Sequence, residues 1–433
     1  KKSKMELGYF KNNCRLCKSK SLFKFLDLGN HPPSDEFKDK EEIKKSTTFF
    51  PLEVYSCNKC GFKQLGYVVN PKKLYQNNYP YESSTTESGK KHFKDFAKSI
   101  VNKYSLHPKD LTVDVGSNVG VLLKGFKDLG CEVLGIEPAP NICKIANKNK
   151  IKTINFFFGK EAVNYINSKK KKPKVITATN VFAHIDDLDE FVDNLKKIID
   201  KKKGIFIIEA PHFLHLYNSL EYDTIYHEHL SYLTVEPLNK FFKKKGFEII
   251  DVEKKDIHGG SVRITISTKG NYKVKKTVSN IIKLERSNKL NQKSNLIKFS
   301  EKVKQNRQNL VKKLISLKQK GKKIILISAP AKGMTLINYS KIDKDFIDFA
   351  TEKSKIKQGL FTPGSNISVF SDKLILKKQP DYALLLAWNF ATEIINNNID
   401  FLKNGGKFII PIPKIKIITY KNFYEKNKII NKS

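Results

Sequence analysis

The chain has 433 residues, with 81 Lys and Arg against 43 Asp and Glu, for a formal net charge of +38. That length exceeds one ordinary core and predicts two or three domains. The charge invites a nucleic-acid reading, but arginine occurs only at Arg15, Arg263, Arg286 and Arg307, and Lys is spread along the whole chain as solvated surface, so no nucleic-acid partner is expected. No apolar run is long enough to cross a bilayer and no signal core surrounds Met5, so a cytoplasmic protein with no membrane partner is expected.

Residues 10–70 carry Cys14-x-x-Cys17 and Cys57-x-x-Cys60. Two such pairs supply four thiolates to one tetrahedral Zn ion and leave no position open for water, which points to a structural site. Between them lie a strand-like stretch, Leu22 to Leu28, and the turn-rich His31-Pro-Pro-Ser34. Residues 71–93 hold Tyr75, Tyr79, Tyr81 and His92 among Ser and Thr, suited to a substrate loop or to a solvated connection. Apolar spacing predicts a helix from Lys91 to Tyr104.

A βαβ unit follows. The strand Leu111-Thr-Val-Asp114-Val meets a turn with Gly116, Asn118 and Gly120, a helix runs to about Leu129, and a second strand ends at Glu137. The order D-x-G-x-x-x-G, with an acid roughly 20 residues on, is the version typical of S-adenosylmethionine-binding folds. Glu137 is placed to accept from ribose hydroxyls, and Asp114 to meet an ammonium or a bridging water. The strand Lys174 to Thr179 delivers Asn180 and His184 to its carboxyl end, where open α/β sheets bind ligands. A helix over Leu188 to Ile199 and a strand over Gly204 to Pro211 come next. Beyond them lies Tyr226-His227-Glu228-His229, four adjacent proton-handling residues. A helix at Val235 to Lys245 and a strand at Phe247 to Val252 precede His258-Gly-Gly260-Ser261-Val-Arg263, a turn suited to an anion or a sugar, or to a plain hairpin.

Residues 278–320 read as one or two charged helices. A second α/β pattern starts at Lys323-Ile-Ile-Leu-Ile-Ser328, where Lys332 and backbone amides face a phosphate. Strands at Ile347 to Ala350, Pro380 to Leu386 and Gly405 to Pro411 complete it, with Trp388 and Asn389 at a strand end.

These residues resemble the sugar C-methyltransferases, enzymes that methylate a carbon of nucleotide-linked keto-deoxysugars. The resemblance covers nearly the whole chain. It rests on the four cysteines with Leu26-Asp-Leu-Gly29, Asp114-x-Gly116 and Glu137, Tyr226-His-Glu-His229, His258-Gly-Gly-Ser261-x-Arg263, Ala329-Pro-Ala-Lys332-Gly333, Gln358-Gly-x-x-Thr-Pro-Gly364 and Trp388-Asn389. Ser328-Ala329 departs from the Gly-rich turn frequent in the family. The resemblance implies a zinc module (8–75), a Rossmann-like class I methyltransferase domain (76–277), a helical linker (278–322) and a C-terminal Rossmann-like α/β domain (323–425) that helps to hold the nucleotide sugar. It also places Tyr226, Glu228, His229, His184 and a tyrosine at Tyr79 or Tyr81 in the active site.

The chemistry expected is removal of a proton next to a ketone by His229, oriented by Glu228, with His227 second in line for the base. Tyr226 and His184 donate to the developing oxyanion. His258, Gly260, Ser261, Arg263, Lys332, Trp388 and Asn389 are the expected substrate contacts, and a monomer is expected. The alternatives are an O- or N-methyltransferase with the same cofactor and, from another class, a zinc-containing nucleic-acid-binding protein.

Overall fold

The computed structural model describes residues 7–75, 83, 87–256 and 260–424. The chain separates into two compact units. The first draws on Lys1–Phe25, Val54–His215 and Glu228–Asn295, the second on Leu26–Glu53, Leu216–His227 and Leu296–Ser433.

Near the N-terminus β1 (Gly8–Phe10) pairs antiparallel with β5 (Tyr67–Val69). The strands β2 (Leu22–His31), β3 (Phe50–Cys57) and β4 (Lys63–Leu65) form a sheet completed by β11 (Ser231–Tyr232), in the order β11-β4-β3-β2. The strand expected at Leu22 is present and runs three residues further. β3 was not anticipated, although it carries Phe50, Leu52 and Val54, a period-two set that is all buried.

The first unit is built on a seven-stranded sheet of β6 (Leu111–Val115), β7 (Glu132–Ile136), β8 (Thr153–Ile154), β9 (Val175–Thr179), β10 (Ile205–Pro211), β12 (Phe247–Lys255) and β13 (Ser261–Thr268). The order is β12-β13-β10-β9-β6-β7-β8. Its ladders are parallel from β8 to β10, while β13 runs antiparallel to both β10 and β12. All of β6 is buried, as expected of a central parallel strand covered on both faces. The strand order reverses between β6 and β9, so their carboxyl ends open the crevice where such sheets take ligands.

The expected helices are found as Glu87–Lys103, Val121–Asp128, Leu188–Ile198 and Val235–Lys244, and a further helix spans Lys160–Ser168. A helix over Pro140–Lys148, with Pro at its first position, was not anticipated, although proline there is a start signal.

The second unit carries a six-stranded sheet: β14 (Ile324–Ile327), β15 (Ala350–Glu352), β16 (Val369–Ser371), β17 (Tyr382–Leu385), β18 (Lys407–Ile410) and β19 (Lys416–Ile418). The order is β16-β15-β14-β17-β18-β19, parallel except for β19. The strand expected at Ile347 starts only at Ala350, because Asp348 turns back to accept from the Ile324 amide at 3.1 Å. The charged segment before this sheet is two helices, Lys276–Ser287 and Lys293–Gln319, separated around Lys289 at φ 52°.

Candidate active site and metal centre

Cys14, Cys17, Cys57 and Cys60 converge in the first unit with their sulfurs all within 4.8 Å of one another. Cys14 Sγ lies 3.6 Å from Cys60 Sγ, and Cys17 Sγ 3.5 Å from Cys57 Sγ. Four thiolates at about 2.3 Å from one zinc stand roughly 3.8 Å apart, so the spacing fits Zn with only a slight expansion.

At the switch point of the seven-stranded sheet lies a cavity of about 420 Å³, within the roughly 300–1,000 Å³ usual for small-molecule sites. Asp114, Gly116, Asn118, Glu137, Asn180 and His184 all line it. Gly116 has φ 66°, and a Cβ there would stand 2.4 Å from Val181 Cγ2, so only glycine fits. Gly120 has φ 82° and backs onto Ile151. The turn between them is pinned by Glu137, which accepts from the Asn118 amide and the Ala139 amide, both at 2.9 Å. Asn118 tolerates φ 50°, and its Oδ1 accepts from the Ser83 and Val119 amides.

Asp114 is 4 % exposed and accepts from Thr177 Oγ1 at 2.6 Å. Burial pushes its carboxyl up to about 7, with the Glu137 charge adding to that and the Thr177 bond opposing it. A buried carboxylate of this kind is relieved by a cationic ligand. Asn180 holds φ 56°, donates its amide to Glu209 O at 2.7 Å, and leaves its buried Oδ1 without a partner among the described residues. Phe156, Phe157 and Phe158 supply an apolar wall. Carboxylates for a ribose and an ammonium, a glycine turn and an aromatic wall fit S-adenosylmethionine.

His184 stands on the turn after β9, at the edge of the cavity. Its Nδ1 is 3.2 Å from Tyr75 Oη, and its ring centroid is 5.1 Å from that of His229. Burial, helped by His229, lowers its pKa well below the ordinary histidine value, so it is neutral near pH 7. Its Nε2 has no partner among the described residues. Glu228 is buried at 3 % exposure, and His229 is half-buried. Tyr75 also lines the cavity and was not singled out as catalytic. Tyr79 and Tyr81, the tyrosines expected there, lie outside the described residues, as does His258.

Two expected site residues have internal tasks. His227, second in line for the base, is 1 % exposed with Nε2 at 3.2 Å from Phe50 O and 3.3 Å from Pro51 O. Burial, reinforced by His31, lowers its pKa to about 4. Rather than presenting a free guanidinium, Arg263 is 2 % exposed, puts both Nε and Nη2 on Glu209 at 2.7 Å, and lies 3.5 Å over the Phe96 ring. Glu209 accepts from His92 as well. The cause is position: Arg263 faces Glu209 across the β10–β13 ladder, and a buried guanidinium needs a buried carboxylate. Ser261 is 3 % exposed on the same strand, and Gly260 lies against the His215 ring, where a Cβ would come within 2.3 Å.

In the second unit Lys332 and Trp388 gather around Asp223, and Asn389 follows Trp388 on the same turn. Trp388 Nε1 donates to Asp223 Oδ2 at 2.7 Å, and Lys332 Nζ lies 3.8 Å from the same oxygen and 4.2 Å over the indole. Burial raises Asp223 to about 6 against the pull of Lys332 and Trp388, with Glu221 adding to the rise. Burial lowers Lys332. Lys332 Nζ, Asp223 Oδ1 and Asn389 Oδ1 have no hydrogen-bond partner among the described residues, so the cluster holds unsatisfied donors and acceptors. Asp223 was missed in the sequence, where it sits in the same stretch as Tyr226.

The fold and the cavity define a methyltransferase of the Rossmann-like class. Residues 91–252 match the methyltransferase domain family, residues 14–75 a zinc binding domain and residues 256–413 the C-methyltransferase C-terminal domain. The C-methyltransferase NovU of Streptomyces niveus is 31 % identical over 412 residues, covering 94 % of this chain and 97 % of that protein. The chain belongs to the C-methyltransferase family. Among solved structures, it is similar to the magnesium protoporphyrin IX methyltransferase of Synechocystis with bound SAM (14 % identity, 42 % of this chain, 79 % of that one, TM-score 0.31). It is also similar to the PH0226 protein of Pyrococcus horikoshii (13 % identity, 46 % and 96 %, TM-score 0.35).

Proposed function

We propose that the protein transfers a methyl group from S-adenosylmethionine to a ring carbon of a nucleotide-linked keto-deoxysugar, at the position next to the ketone. The observation that carries the reading is the His184–His229 pair, with centroids 5.1 Å apart and His184 lining the cofactor cavity. Carbon methylation needs two acid–base groups, one to take a C–H proton and one to hold the enolate oxygen. Oxygen or nitrogen methylation needs only the first.

Bound S-adenosylmethionine supplies a methyl group on a sulfonium, ready for in-line displacement. His229, beside the Glu228 carboxylate in sequence, takes the proton from the carbon. His184, neutral because it is buried, donates from Nε2 to the oxygen on which charge develops, and Tyr75 bonded to Nδ1 fixes the tautomer. Tyr226 is the second donor. The enolate carbon attacks the methyl group, the C–S bond breaks, and S-adenosylhomocysteine leaves with both electrons. Lys332, Asp223, Trp388 and Asn389 bind the nucleotide sugar: the ammonium pairs with phosphate, and the carboxylate and amide take sugar or base donors. The substrate class follows the sequence resemblance, and the unsatisfied polar cluster in the second unit supports it. The division at 8–75, 76–277, 278–322 and 323–425 assigns metal, methyl donor, linker and sugar in turn. A cytoplasmic monomer is part of the same reading.

The test is a transfer assay with methyl-labelled S-adenosylmethionine and a panel of nucleotide-linked 4-keto-deoxysugars. Label on carbon in one panel member is expected, and its absence from every sugar with cofactor binding intact would overturn the substrate class. In deuterated water, exchange at the carbon beside the ketone is expected in the native protein and about a hundredfold slower in His229→Asn. Near-normal exchange in that variant would remove His229 as the base.

A further inference from the structure

Both histidines of the pair are tied to the cysteine site, one to each knuckle. Arg15 stands between Cys14 and Cys17 and is fully buried. Its amide donates to Gln64 Oε1 at 2.8 Å, its Nη1 to Leu65 O at 2.9 Å, and its Nε to Asp186 Oδ1 at 3.0 Å. Asp186 lies two residues past His184 on the same turn, and both line the cofactor cavity. The Asp186 carboxylate also accepts from Lys11 Nζ at 3.0 Å and from Tyr9 Oη. One step further along, Asp189 pairs with Lys18 of the same knuckle.

The second knuckle reaches the other histidine. Cys57-x-x-Cys60 leads directly into β4, whose Gln64 and Lys63 pair with Ser231 and Tyr232 of β11. The Leu65 amide donates to Leu230 O at 2.9 Å, and Leu230 is the residue after His229. Gln64 closes the frame, because its Oε1 accepts from Arg15 and its Nε2 donates to Asn13 O at 3.0 Å.

We infer that the cysteine module is the splint that sets the spacing of His184 and His229, with Arg15 as its positioning residue. Three donors from the first knuckle region, Tyr9, Lys11 and Arg15, converge on one carboxylate that is 18 % exposed and would otherwise be solvated. A planar guanidinium that reaches Asp186 and Leu65 O together fixes the His184 turn relative to β4, which carries the His229 segment. Zinc holds the two knuckles, and so both arms of the splint, in one frame. Asp114 stands on β6 and Glu137 directly after β7, and the β6–β7 ladder is formed without residues of the cysteine module, so these two cofactor residues keep their positions when the splint is loosened.

The consequence for catalysis rests on reading His184 and His229 as the acid–base pair. The splint itself is tested without turnover. Amide hydrogen exchange is followed by mass spectrometry on the full chain, with metal content measured alongside. The samples are zinc-loaded native protein, Arg15→Met, Asp186→Asn, and native protein stripped by a chelator. In both variants at full zinc content, residues 182–187 are expected to exchange about tenfold faster while residues 230–232 keep their protection. Stripping zinc is expected to release both segments. In Arg15→Met, binding of S-adenosylhomocysteine should stay within about threefold, while kcat falls about a hundredfold through misplacement, with partial return in Arg15→Lys. Unchanged protection in Asp186→Asn, or full protection of both segments after zinc removal, would overturn the proposal, and Asp186→Asn decides it should Arg15→Met fail to fold. Faster exchange with an undiminished kcat would leave the splint standing and remove His184 from the catalytic pair.

Discussion

Asp114 couples the cofactor site to pH. Its carboxyl is raised to about 7 by burial, and a ligand with an ammonium binds the ionised form. Above pH 7 that form is already present; below it a proton must be expelled on binding. The Kd of S-adenosylhomocysteine is therefore expected to rise about tenfold per pH unit below 7 and to be flat above it. Calorimetry between pH 5.5 and 8 reads this, and Asp114→Asn should bind weakly with no slope. His227 gives a second pH effect, on stability. Its folded-state pKa is about 4 against the ordinary 6.5, so the unfolded chain takes up the proton first as pH falls. Stability is fully present above about pH 6.5, is lost down to about pH 4, and the loss is on the order of 3 kcal/mol. Urea melts of native protein and His227→Gln across that window check it: the variant should lose less on acidification. His31, buried and likewise lowered to about 4, adds a parallel contribution.

The decisive element is the turn between β6 and the helix Val121–Asp128. Its shape depends on Gly116 and Gly120 in the left-handed region and on Glu137 accepting from the Asn118 and Ala139 amides. Gly116→Ala meets strain at φ 66° and a contact of 2.4 Å with Val181. A loss of roughly 1–3 kcal/mol in stability is expected, together with loss of cofactor binding, read by thermal melts and calorimetry on the same sample. The corresponding turn of the second sheet, after β14, is built differently. Ser328 takes φ 67° where a glycine is more usual, and the Ala329 amide is spent on Glu352 Oε2 at 2.8 Å. Fewer backbone donors remain at this turn, so under the proposed function a phosphate there would rely on the Lys332 side chain.

Across the whole molecule, the cofactor cavity and the Lys332–Asp223–Trp388 cluster proposed for the sugar belong to separate compact units, each with its own sheet. Lys332→Ala is therefore expected to raise KM for the nucleotide sugar about 10- to 100-fold, through loss of a charge-assisted bond, while the Kd of S-adenosylhomocysteine stays unchanged. A change in cofactor affinity of similar size would contradict that division. The high net charge does not specify a partner: it is nearly all lysine, and the few arginines are spent locally. Arg15 and Arg263 are buried in ion pairs, Arg307 lies over the Tyr339 ring, and Arg286 binds Glu236.

Local signals determined much of this protein. Paired cysteines, the glycine turn closed by Glu137, and the apolar runs of β6, β9 and β10 are short-range patterns, because metal ligation, positive φ and strand burial each act over a few residues. The tyrosine-histidine-glutamate-histidine stretch stands out in the sequence for the same reason, as four adjacent proton-handling residues. Partner choice was not legible. That Arg263 would face Glu209 across a ladder, that His227 would be walled in by Phe50, and that Asp223 would anchor Trp388 and Lys332 depend on residues tens to hundreds of positions apart. Long-range register decides which polar side chains are used up inside the fold and which stay available to a ligand, and only the tertiary structure fixes that register.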